Sequence, residues 1–308
     1  IATARCREGR TGHYEMSDLV PGVYKVEGSR EPSLPVIFDS PHSGTNYPPD
    51  FGFIAPSELV RRAEDAYVDE LFSAAPARGA PLVSALFPRS YIDPNRSLLD
   101  LDPEVLAEPW PDEIAPGEKA RLGHGLIWRL CPPDEAMYDR KLSVEEVRRR
   151  IDLYWKPYHA ALKRVLDDVH HRFGQTWHIN CHSMPAISPP NSPEGATGVR
   201  RAEIVLGDRD GSTCSAEFLA LVRDTFKKLG YQVKVNDPYK GVEIVRAYSD
   251  PLAGRHALQI EINRALYMDE QGFEKTAGFA ELQANLTKLI DHIGDYALSQ
   301  VAAAKAAE

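Results

Sequence analysis

The sequence predicts an α/β protein, a three-layer α/β/α sandwich built around a mixed central sheet. Three observations carry this reading. Short apolar runs of strand length alternate along the chain with longer segments of helical period, the pattern of sheets covered by helices. At 308 residues the chain can bury one large α/β core, and no internal repeat or flexible linker divides it. Three of the strand-like runs also end in, or enclose, polar residues, and open α/β sheets carry functional groups at strand ends.

The elements follow in order. Residues 1–33 have mixed polarity and several glycines and read as a loosely attached lead-in to a single domain, 34–308. Residues 34–38 are the first strand, which stops at Asp39-Ser40-Pro41-His42-Ser43-Gly44. Pro56-Ser57-Glu58 starts a helix with Ser57 as N-cap. Leu59, Val60, Ala63, Tyr67, Val68, Leu71 and Phe72 form its apolar stripe, and Gly79 closes it. Residues 81–87 form the next strand, followed by the loop Phe87-Pro88-Arg89-Ser90-Tyr91-Ile92-Asp93-Pro94-Asn95-Arg96.

Residues 97–140, rich in proline and acidic side chains, read as a surface excursion that walls a pocket. Residues 144–173 give the strongest helical signal, with Pro157 kinking or splitting the helix. Residues 177–181 are a strand leading to His182, and 185–198 a proline- and serine-rich loop. Then come a strand at 202–206, a helix at 214–229 ended by Gly230, strands at 231–235 and 258–262, and a closing helix at 279–304.

Composition narrows the function. Hydrophobic content of 43% and charged content of 26% are ordinary for a globular protein. A net charge of -9 argues against nucleic acid or an anionic membrane as the main partner. No apolar run has the length of a membrane span, and the opening residues carry no signal-peptide core. The four cysteines are widely spaced without a CxxC pair, which fits reduced thiols and a cytoplasmic protein. Cys181 adjoins His182, but neighbours on a strand face opposite ways, so Cys181 reads as a small core residue and not a nucleophile.

The chemistry-bearing residues sit at strand ends. His42 and His182 share one context, a histidine just past or at the end of a strand, and imidazole is a common zinc ligand. His178 is four residues before His182, about 13 Å away along a strand, too far to hold the same ion. It reads as a packed or supporting residue. A third, acidic ligand is sought in 61–72, which offers Glu64, Asp65, Asp69 and Glu70. A solvated helix face accounts for most of these; a helical wheel slightly favours Glu64 and puts Asp65 on the flank. Glu261, between Ile260 and Ile262, reads either as a general base or as an ion-pair partner of Arg264. Arg89, Asn95 and Arg96 in one loop suggest recognition of an acidic substrate, with Arg200, Arg201, Arg246 and Arg264 ranked below them.

Taken together, these segments resemble the N-formylglutamate amidohydrolase family. The matching pieces run in order through Phe38–Gly44, Glu64–Leu71, Arg89–Arg96, Cys181-His182-Ser183-Met184, Leu206-Gly207-Asp208, Asn236–Gly241 and Gln259–Glu270. The resemblance implies a phosphorylase/hydrolase-like sandwich related to zinc carboxypeptidases and aspartoacylases. It implies one Zn2+ per chain on His42, Asp65 and His182, with Asp65 preferred over Glu64 by the spacing to Leu71. It implies Glu261 as base, Arg89 as oxyanion stabiliser, and Asn95, Arg96, Ser183 and Arg264 around the substrate. Two departures stand near the implied pocket: Asn180, where many relatives carry an acid, and Gly241-Val242-Glu243 in place of a more glycine-rich turn.

The expected activity is therefore hydrolysis of an N-formyl amino acid, first N-formyl-L-glutamate, a small acidic N-acyl amino acid of histidine degradation. The rival expectations are a zinc amidase or carboxypeptidase for another N-acyl amino acid or peptide, and a non-catalytic protein that binds an acidic metabolite.

Overall fold

A computed structural model of the chain describes residues 15–132, 134–189 and 197–307. Its centre is an eight-stranded sheet. The strands are β1 (Glu15–Val20), β2 (Tyr24–Ser29), β3 (Val36–Ser40), β4 (Leu82–Ala85), β5 (Thr176–Met184), β6 (Ile204–Gly207), β7 (Val233–Val235) and β8 (Arg255–Asn263). Their spatial order is β1-β2-β4-β3-β5-β8-β6-β7. The four central strands, β4, β3, β5 and β8, are parallel, while β2 on one side and β6 on the other pair antiparallel to this block. The mixed α/β sheet expected from the sequence is present. Residues 15–29, within the expected lead-in, form a hairpin that extends this sheet through β2–β4 pairing.

Eight α-helices surround the sheet among the described residues: α1 (Ser57–Arg61), α2 (Val68–Leu71), α3 (Glu118–Arg121), α4 (Val144–Arg150), α5 (Lys156–Phe173), α6 (Ala216–Lys228), α7 (Glu243–Ala247) and α8 (Gly278–Ala307). One sheet face is apolar: Val36, Phe38, Leu82, Ile179, Cys181, Leu258, Ile260 and Ile262 pack with residues of α2, α6 and α8. The other face meets α4, α5 and the 97–140 excursion through Ile37, Val83 and Ala85. Strand alternation sends His178, Asn180, His182 and Glu261 to the side opposite Ile179, Cys181, Ile260 and Ile262. Cys181 is thus buried in the apolar layer, as the strand argument requires, and the three described cysteines are unpaired.

Two expected helices are interrupted. The sequence predicts one helix from Ser57 to Gly79, capped by Ser57. In the structure Pro56 takes the N-cap position without a side-chain bond, and Ser57 is already helical. The helix then breaks: Arg62, Ala63 and Glu64 N–H donate to carbonyls three residues back, and Asp65 N–H leaves the segment for His42 O at 3.0 Å. The second helix of the region is interrupted as expected near Pro157. Pro157 has no N–H to give to Leu153. The chain answers with a π-helical turn over Ile151–Trp155, closed by Lys156 N–H to Ile151 O, before α5 begins. No helix among the described residues is long and apolar enough to cross a membrane.

Candidate active site

Because β3, β4, β5 and β8 are parallel, their carboxyl ends lie along one edge of the sheet. The segment after β3 brings His42 there, and the loop after β4 brings Arg89 to Arg96. β5 carries His182 in its last turn of pleat, and in the β5–β8 register His182 stands directly opposite Glu261. Gly44 lets the first two segments meet: a Cβ there would lie 2.3 Å from both the Leu86 carbonyl carbon and the Phe87 oxygen.

The break between α1 and α2 supplies the third member. Asp65 is tied down by its N–H to His42 O and by Ser43 Oγ–H donating to Asp65 O at 3.1 Å. Its carboxylate Oδ2 lies 2.9 Å from His182 Nδ1 and 3.3 Å from His42 Nδ1. The candidate ligand atoms of His42, Asp65 and His182 all lie within 4.8 Å of one another, and the three residues are buried. Glu64 points elsewhere. Its Oε1 accepts from Tyr47 Oη at 2.5 Å, and burial raises its pKa. The helical wheel fails here because residues 62–67 are not helical, so a face computed for them has no meaning.

The far sides of the two imidazoles fix their tautomers. His42 Nε2–H donates to Asp93 Oδ1 at 2.8 Å, and His182 Nε2–H donates to Asn180 Oδ1 at 2.7 Å. Asn180 cannot flip, since its Nδ2 donates to both oxygens of Asp39, at 2.9 and 3.1 Å. Asp39 in turn accepts from His178 Nε2 at 2.7 Å and Tyr158 Oη at 2.8 Å. His178 therefore supports the site from beneath, three hydrogen bonds removed from His182 through Asp39 and Asn180. With both Nε2 atoms protonated, both Nδ1 lone pairs face a carboxylate oxygen. Three acceptors without a shared proton repel, and a cation among them removes the conflict. The donor set, two imidazoles and one carboxylate with oriented outer partners, fits a zinc-type ion.

The electrostatics agree. Burial would raise Asp65, but the two histidines beside it hold its carboxyl well below the usual range. Asp93 is likewise buried yet held down by Arg89 and His42. Burial, reinforced by the charge of Asp65, pushes Glu261 well above the usual range. A divalent cation on the cluster reverses the sign of that field and favours the ionised base.

These groups open on a cavity of about 390 Å³, to which His42, Asp65, His182, Glu261, Arg89, Asn95, Arg96, Ser183 and Arg264 all contribute. Lys119, His124 and Trp128, from the 97–140 excursion, complete one wall, as the sequence predicts for that segment. A family profile described as N-formylglutamate amidohydrolase matches residues 34–268, most of the chain.

The chain belongs to the N-formylglutamate amidohydrolase family.

Solved and curated relatives agree with this placement. The chain is 46% identical to a solved N-formylglutamate amidohydrolase from Ralstonia eutropha JMP134, with a TM-score of 0.85 over 91% of this chain and 99% of that one. It is 27% identical over 254 residues to N-formylglutamate deformylases of Pseudomonas putida and Pseudomonas aeruginosa. Those alignments cover 80% of this chain and 86% and 88% of theirs.

In this N-formylglutamate amidohydrolase family member, the side chains expected around a substrate divide into two groups. Arg89 and Arg96 face the cavity as cations. Arg89 is gripped by Asp93 Oδ2 through Nε at 3.1 Å and Nη2 at 2.7 Å and lies 5.2 Å from the Trp128 ring centre. Arg96 is nearly bare: Asp100 Oδ2 is 3.9 Å from its Nε, which is buried without a hydrogen-bond partner. Burial lowers the pKa of Arg96. The other three are engaged by the protein. Arg264 donates from Nε to Ser183 Oγ, from Nη1 to Arg62 O and from Nη2 to Asp65 Oδ1, at 3.0, 2.9 and 3.1 Å. Asn95 Oδ1 accepts from Ile244 N–H at 2.9 Å, while its Nδ2 lies 3.2 Å from His182 Nε2. Arg246 pairs with Glu243 and Arg200 is exposed, so neither joins the cavity.

Asp93, Asp39 and Asn180 carry no expected role from the sequence, although each lies inside or beside a quoted motif. A signal for Asp93 existed. Asp-Pro-Asn favours an aspartate that caps its own turn, and Asp93 Oδ1 accepts Asn95 N–H at 2.8 Å.

Proposed function

We propose that this protein is a metal-dependent amidohydrolase that converts N-formyl-L-glutamate to formate and L-glutamate. The observation that carries the reading is the meeting of the His42–Asp65–His182 cluster, Glu261 and two cavity-facing arginines in one buried pocket. The names and substrates of the relatives support the choice of acyl group and amino acid. Zn2+ is the proposed ion, one per chain, held by His42, Asp65 and His182. When bound there, it would act as a Lewis acid toward the formyl carbonyl and lower the pKa of water.

The residues then have distinct tasks. Glu261 is the base: it takes the proton of the attacking water and returns it to the leaving nitrogen. Its place opposite His182 and its burial beside Asp65, which favours the protonated form, suit a carboxyl that must gain and lose a proton. Arg89, fixed by Asp93, keeps Nη1 outside that pair and directs charge at the developing oxyanion. Arg96 receives a substrate carboxylate; its buried, unpartnered Nε–H is costly when empty and is matched by an anion. Arg264 acts as a positioning residue on Asp65, and Asn95 ties the loop to α7. Ser183 anchors Arg264.

Formate release from N-formyl-L-glutamate, followed with and without chelator, tests the reading. Release that chelator stops and zinc restores is the expected result. Metal-loaded protein that releases no formate would overturn the substrate assignment, and a panel of other N-acyl amino acids would then identify the acyl group. Replacing Arg96 by Met should raise KM for N-formyl-L-glutamate by about 10- to 100-fold, the value of a charge-assisted bond, with kcat little changed. An unchanged KM would remove Arg96 from substrate binding.

A further inference from the structure

The loop Asp93-Pro94-Asn95-Arg96 does most of the work around the cavity, yet it belongs to no helix or strand. Its backbone is held from an unexpected direction, the end of the π-helical turn and the first turn of α5. Trp155 Nε1–H donates to Arg96 O at 3.0 Å, and His159 Nε2–H donates to Pro94 O at 2.8 Å. The two donors are four residues apart, so they lie one above the other on the helix. Their rings stack, with centres 3.7 Å apart and planes 24° from parallel. His159 is buried, and burial lowers its pKa to about 4, which keeps the ring neutral. A neutral ring that gives its proton to Pro94 O must accept at Nδ1, and Tyr248 Oη stands 2.7 Å from that atom. Tyr248 follows α7, whose Ile244 N–H is bound by Asn95. Both carbonyls flanking Asn95 are thus clamped by one helix, and the Asn95 amide by another.

The π-helical turn supplies the register. It ends at Trp155, and the extra residue it accommodates rotates α5 relative to α4. The wide turn that Pro157 provokes therefore sets which side chains of α5 reach the loop.

We infer that Trp155 and His159 are positioning residues that set the acidic-substrate selectivity of this site by holding the backbone on which Arg96 is carried. This rests on the assignment of Arg96 to a substrate carboxylate. Neither residue hydrogen-bonds a member of the metal cluster, and Asp93, which holds His42, is itself gripped by Arg89. The clamp therefore controls where the Arg96 cation stands, and with it discrimination between acidic and neutral N-formyl amino acids.

The test compares N-formyl-L-glutamate with N-formyl-L-norleucine in zinc-loaded full-length protein. Trp155→Phe keeps the stacked ring and removes only the donor. It should raise KM for the acidic substrate about tenfold, the value of one hydrogen bond. The acidic-to-neutral ratio of kcat/KM should fall by the same factor, with kcat and bound metal within twofold of wild type. His159→Phe should do likewise. His159→Gln, whose amide places a donor near the position of Nε2, should recover most of the selectivity. Parallel losses on both substrates, or His159→Gln no better than His159→Phe, would overturn the clamp and leave a purely structural role. An unaltered ratio in Trp155→Phe, with the wild type strongly preferring the acid, would overturn it alone. A wild type without such preference would overturn the reading of Arg96 as well.

Discussion

Glu261→Gln should reduce turnover of N-formyl-L-glutamate by ~10²- to 10⁴-fold, the usual contribution of a positioned base, while zinc stays bound at the wild-type level. The substitution is close to isosteric. Gln259 Nε2–H donates to Glu261 Oε1 at 2.9 Å, and a glutamine carbonyl can accept the same bond. Burial and the charge of Asp65 already favour the uncharged form of this side chain in the free protein. The variant should therefore fold without loss of stability, and a thermal melt would check this beside the kinetics. Retained turnover would remove Glu261 from the mechanism. Lost turnover accompanied by lost zinc would make it a metal ligand or a support for one.

The second large effect is expected on the cluster itself. Asp65→Asn should weaken zinc binding more than ~100-fold, beyond the range seen when only an outer partner of a metal ligand is removed. Glu64→Gln should leave zinc affinity unchanged, since the Glu64 carboxyl is turned to Tyr47. Competition with a fluorescent chelator measures both. Asp65 also neutralises Arg264, whose Nη2 lies 3.1 Å from Asp65 Oδ1 and is buried. The metal-free Asp65→Asn protein should therefore melt below metal-free wild type, because a buried cation has lost its partner. Equal zinc affinity in Asp65→Asn and wild type would point to a different ligand set.

The contrast between these two acids shows where sequence patterns run out. Residues 57–72 have a stripe of helical period, and the stripe does describe the buried side chains Val60, Ala63, Val68, Leu71 and Phe72. Periodicity reports burial, which survives a broken helix. It does not report the break, nor the hydrogen bond by which Asp65 N–H then reaches a residue 23 positions earlier. The Arg89–Arg96 loop gives a similar lesson. Its arginines and Asn95 are visible in the sequence as polar groups at a strand end. That Arg96 is left nearly bare while Asn95 is spent on α7 depends on which elements pack against the loop.

The sequence by itself determined the alternation of strands and helices, the burial of Cys181 away from His182, the interruption at Pro157, and the strand-end placement of His42, His182 and Glu261. All of these follow from local rules: period, proline chemistry and the two-sidedness of a strand. Tertiary structure alone decided which acid joins the histidines, and that Asp93 and Asn180 fix the imidazole tautomers. It also joined residues 15–29 to the sheet and set Trp155 and His159 against the loop of Arg96. The physical reason is common to them. Each depends on hydrogen bonds between segments distant in sequence, and such a bond leaves no periodic trace in either partner.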